Sequence, residues 1–82
     1  MQQCVAVINM QRTGRTISAL REQRGLSVKQ LQERLGLATP QAIYKWQRGE
    51  TMPTVDNLVI LAGIFSVPLD DLVEVDYLGR SA

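Results

Sequence analysis

At 82 residues, 45% of them hydrophobic, the chain has the size of one small domain with a single core. With one cysteine and no histidine it can build neither an internal disulfide framework nor a zinc site, and Cys4 reads as a small buried apolar residue in a reducing compartment. The net charge of +1 conceals an asymmetry: residues 1–49 hold eight basic side chains against two acidic ones, +6, and residues 50–82 hold one against six, −5, which would turn the front of the chain toward a polyanion.

The first segment, CVAVI (residues 4–8), alternates like a half-buried strand. It is too short, and lacks the basic flank, to be a secretion signal. No apolar run reaches the ~20 residues of a membrane span, so the expected location is cytoplasmic, with no membrane partner. Asn9 then offers a cap for a first helix over residues 10–24, with Met10, Gly14, Ile17 and Leu20 on its inner face and Gly25 as a left-handed stop. Ser27 and Gln30 form a capping box, bracketed by the apolar pair Leu26 and Leu31, and open a second helix that buries Val28, Leu31 and Leu35 and ends at Gly36.

The stretch TPQAIYKWQRGE (residues 39–50) predicts a short third helix over about residues 40–48. Thr39 is its cap, Pro40 its first residue and Gly49 its end. At 100° per residue with Ile43 at zero, Trp46 falls near 300°, while Gln41, Arg48, Tyr44 and Lys45 fall at about 160°, 140°, 100° and 200°. One face is apolar; the other offers an amide, a phenol, an ammonium and a guanidinium, the groups that read base edges and bind phosphates in a DNA major groove.

A fourth helix opens at Thr54 and continues to Phe65, with a main buried face of Val55, Leu58, Leu61, Ala62 and Phe65. On its own wheel Ile60 and Ile64 lie at about 140° and 180°, a second apolar side that needs covering, either by a partner subunit or by the chain's own ends. A short fifth helix follows over residues 69–73 after Val67-Pro68. LVEVDY (residues 72–77) alternates like CVAVI, and the two could pair within one subunit or across a dimer, leaving residues 79–82 as a frayed end.

In order, RTISALREQRGLSVKQLQERLGL, AIYKWQRGE and MPTVDNLVILAGIFSVPLDDL resemble the Cro/repressor-like (XRE-type) helix-turn-helix domains of bacteria and phages, over about residues 10–73. The resemblance implies an all-α, five-helix repressor-like domain between an N-terminal extension (1–9) and a C-terminal tail (74–82); the alternation of those ends adds a small two-stranded β element as an option. It makes the third helix the recognition helix, with Gln41, Lys45 and Tyr44 toward bases and Arg48 toward backbone. Ser27, Lys29, Gln30 and Thr39 are the further backbone contacts it implies, and Ile60 and Ile64 the dimer or partner interface.

Several positions depart from the family pattern. Val28 stands where such domains often carry Gln, and cannot make that backbone contact. The turn is one residue longer than usual, and Gln32 replaces a common Ala beside the third helix. Gln47 replaces a Glu that pairs with a first-helix Arg, so Arg21 is expected to be at least half buried and bonded to Gln47 or to a carbonyl. The reading is of a sequence-specific double-stranded DNA-binding regulator acting as a homodimer. The alternative is a protein-interaction module, such as an antitoxin or anti-repressor partner, using the Ile60/Ile64 face. No enzyme is indicated: Asp70-Asp71 is a carboxylate pair at a helix start, where acids suit the dipole, and no cofactor or metal is expected.

Overall fold

The computed structural model describes residues 5–78. In chain order these form β1 (Ala6–Ile8), α1 (Met10–Gln23), α2 (Val28–Leu35), α3 (Gln41–Gln47), α4 (Val55–Phe65), α5 (Leu69–Leu72) and β2 (Val75–Tyr77). The helix boundaries follow from local chemistry. Asn9 Oδ1 accepts from the Arg12 backbone N–H at 2.9 Å. The capping box closes reciprocally, Ser27 Oγ accepting from Gln30 N at 3.0 Å and Gln30 Oε1 from Ser27 N at 2.8 Å. Thr54 Oγ1 caps α4 through Asn57 N. Gly36 ends α2 in the left-handed region, at φ 70°, and Ser66 does the same for α4 at φ 57°.

Each helix contributes its inner stripe to one core. α1 supplies Ile17, α2 Leu31 and Leu35, α3 Ile43 and Trp46, α4 Leu58, Leu61 and Phe65, and α5 Leu72. A side chain of this size, fully buried, is worth roughly 1.5–3 kcal/mol, so these nine positions dominate the stability of so small a domain.

The predicted inner face of α4 needs correction. Val55 is 71% exposed, because the buried arc is centred between Leu61 and Leu58, at about 240–300° with Val55 at zero, and Val55 lies off its edge. Ile60 does face outward, 43% exposed, and Val59 with it, whereas Ile64 is partly buried against the core. Met10, expected on the inner face of α1, is likewise exposed.

The ends of the chain pair within the same subunit. β1 and β2 run antiparallel with Ala6 opposite Tyr77, Val7 opposite Asp76 and Ile8 opposite Val75. The strands are shorter than their alternating segments, since Leu72 is fully buried in α5 rather than starting a strand. They are also less buried than alternation implied, β1 being exposed throughout. Side chains tie the ribbon to α1: Arg12 bonds Asp76 at 2.7 Å and Glu74 at 3.0 Å, Asn9 Nδ2 donates to Asp76 at 2.9 Å, and Thr16 Oγ1 donates to Glu74 at 2.9 Å. The acidic tail therefore lies against the basic front rather than behind it, and Arg12 is neutralised by it. Cys4 and residues 79–82 lie outside the described residues.

Candidate nucleic-acid interface

α3 is held from two sides so that one of its faces must point outward. Ile43 is fully buried and Trp46 nearly so, while Gln41, Tyr44, Lys45 and Arg48 are all exposed. The four predicted groups thus share one solvent face, as the helical spacing requires. Behind the C-terminal turn of α3, α1 approaches so closely that only glycine fits at position 14, where a Cβ would lie 2.1 Å from the carbonyl oxygen of Trp46. The N-terminal side is braced by Gln32, whose Nε2 donates to Leu37 O across the turn at 3.2 Å. The larger side chain at position 32 does this work itself; nothing in its spacing disclosed the partner.

Arg21 links the same elements. Its side chain is 14% exposed, with Nε donating to Gln47 Oε1 at 3.1 Å and Nη1 to Leu26 O at 2.7 Å. The carbonyl supplies the second acceptor that the neutral Gln47 leaves unprovided. Arg24, which the sequence left unassigned, donates from Nε and Nη2 to Phe65 O at 2.9 and 2.6 Å, satisfying a carbonyl at the end of α4. Arg21 and Arg24 are therefore structural cations. Among the described residues, Arg15, Lys29, Arg34 and Lys45 form no ion pair.

Thr39 departs from its expected role. The helix begins at Gln41 with Pro40 as its capping position, at φ −82° and ψ 0°, and no side chain caps it. Residues 38–40 bend before the helix starts, so Thr39 Oγ1 reaches the Gln41 N–H only at 3.4 Å. At the start of α2, the capping box consumes acceptor oxygens of Ser27 and Gln30 and leaves the Ser27 hydroxyl proton and the Gln30 amide protons, the polarity a phosphate needs. Lys29, between them in sequence, is exposed.

One member of the α3 face is not free. The Arg48 guanidinium pairs with the Glu50 carboxylate. The hydrogen bond from Arg48, helped by the charges of Arg48 and Lys45, holds the Glu50 carboxyl below its usual range and raises Arg48 in turn. Glu50 was not among the residues singled out from sequence; its spacing of two from Arg48 is the only signal it leaves there.

These elements define a five-helix scaffold presenting the polar face of one short helix, and a helix-turn-helix family model matches residues 17–72. The chain belongs to the XRE-type helix-turn-helix family of DNA-binding transcription regulators. Among solved structures, the BldD DNA-binding domain from S. venezulae is 27% identical, with 80% of this chain and 97% of that one aligned at a TM-score of 0.67. The restriction-modification controller protein C.AhdI from Aeromonas hydrophila is 24% identical over 77% of this chain and 94% of its own, at a TM-score of 0.69. The clp gene regulator ClgR from C. glutamicum is 15% identical over 80% and 84%, at a TM-score of 0.68. The last two are likenesses of fold. No curated protein matches the sequence. Among the described residues no helix is long and apolar enough to cross a membrane.

Proposed function

We propose that this protein binds specific double-stranded DNA sequences as a homodimer, with α3 in the major groove, and regulates transcription by occupying an operator. The observation that carries the reading is the division of α3 into a buried Ile43/Trp46 side and an exposed Gln41/Tyr44/Lys45/Arg48 side. Gln41, at the N-terminal end, is placed for a bidentate contact with adenine. Lys45, one turn on, suits guanine or phosphate, and Tyr44 a thymine methyl, a stacked base or a phosphate. Ser27, Lys29, Gln30 and Thr39 would grip the backbone with donors, and Arg48 joins them once it leaves Glu50. The likeness to the BldD DNA-binding domain supports the same use of the fold. The exposed Val55, Val59 and Ile60 on α4, flanked by Ile64, would form the two-fold contact that sets half-site spacing.

Selection of bound duplexes from a random pool at two salt concentrations tests this. Enrichment of a two-fold symmetric sequence, with affinity falling steeply as salt rises, is the expected result. Tight capture of a protein partner through the α4 face, with no salt-sensitive duplex binding, would replace this reading with the interaction-module alternative.

A further inference from the structure

The outward face of α3 ends at a carboxylate that has no evident structural task. Glu50 is held at the C-terminal end of the helix: its side chain pairs with Arg48, and its backbone N–H donates to Lys45 O at 2.9 Å. Gly49, at φ 76°, where an added Cβ would lie 2.8 Å from Gln11 Cα, makes the turn that delivers it there. The Arg48 and Glu50 side chains are 57% and 49% exposed, so their pairing contributes little to folding. Its consequence falls instead on whatever approaches α3. A duplex arriving at this face meets a guanidinium whose Nε–H and charge are already engaged by a carboxylate, and a negative charge that repels phosphate.

We propose that Glu50 is an autoinhibitory residue of the DNA interface, occupying Arg48 in the free protein and lowering affinity for every duplex by about one phosphate contact per subunit. This rests on α3 being the DNA-facing helix. In the complex Arg48 either gives up the carboxylate for a phosphate or meets the phosphate through its Nη groups with its charge partly neutralised, and in both cases Glu50 stands near the polyanion. Because the contact is to backbone, the penalty is nearly independent of sequence. Gln41, at the far end of α3, keeps its base contact whatever Arg48 does.

The test compares the full-length wild type with Glu50→Gln, Arg48→Gln and the double variant, measuring Kd on the selected operator and on a random duplex across a salt series. Glu50→Gln is expected to tighten both by about fivefold to tenfold per subunit near 0.1 M salt, and to steepen the salt slope by about one per subunit, the effect of one extra released counterion on B-DNA for each. In the Arg48→Gln background the gain should largely disappear. Unchanged or weaker binding by Glu50→Gln would overturn the proposal. So would a full gain that persists without Arg48, which would reduce Glu50 to a bulk charge. Weakening on the operator alone would make it a base-reading acceptor instead. A wild type that binds no duplex in a salt-sensitive way would overturn the DNA reading itself, a different outcome from any of these.

Discussion

In α1, Gly14 faces the C-terminal turn of α3 so closely that a β carbon there would lie 2.1 Å from Trp46 O and 2.9 Å from Gln47 O. Ordinary contact begins near 3.4 Å, so Gly14→Ala demands a local separation of about 1.3 Å, and a backbone carbonyl inside a helix cannot rotate away. Overpacking of this kind costs roughly 1–3 kcal/mol, and a rigid backbone obstacle places it near the top of that range. Alanine returns about 1 kcal/mol through helix propensity. The expected net loss is therefore about 2 kcal/mol, a fall in Tm of roughly 8–16 °C for a domain of this size. Trp46 is the only tryptophan and is buried, so its fluorescence in a urea titration follows the transition directly, with the midpoint expected to drop by roughly 1–2 M. Gly63→Ala in α4 supplies the control. Its β carbon meets nothing within 4 Å, and the same substitution there should stabilise by about 1 kcal/mol. If Gly14→Ala matched that gain, the close approach of α1 to α3 would be wrong, and with it the account of how α3 is held.

Gln41→Ala should cost ~1–3 kcal/mol at one base position while leaving random-duplex binding unchanged; equal loss on operator and random DNA would remove Gln41 from base reading. Lys29→Ala should weaken binding to all sequences alike and flatten the salt slope by about one unit, as read by fluorescence anisotropy over a salt series. If the proposed two-fold contact forms through α4, Ile60→Asp should convert the dimer to a monomer in sedimentation while preserving the buried emission of Trp46. Retention of the dimer would place the two-fold contact elsewhere.

The inner core of α1, α2 and α3 was legible because short-range rules govern it. A helix wheel needs no knowledge of the partner to state that Ile43 and Trp46 share a side opposite Gln41 and Lys45, and both are buried as that spacing demands. Arg21 was legible as well, since a polar Gln47 left an evident shortfall of acceptors. Val55 and Ile64 show the limit of the same rule: periodicity orders positions around α4 but does not say how wide an arc its neighbours cover.

By itself, the amino-acid order settled where most helices start and stop, the uncapped start of α3 excepted, because caps, left-handed stops and apolar stripes act over three or four residues. Ser27 and Gln30 close on each other at a separation of three. The tertiary structure decided what meets across long sequence separations: Glu74 and Asp76 on Arg12, the Phe65 carbonyl on Arg24, and β1 on β2 within one subunit. Such contacts depend on how whole helices are placed in space. Local spacing holds no record of that placement, because many arrangements satisfy the same apolar pattern until the core is packed.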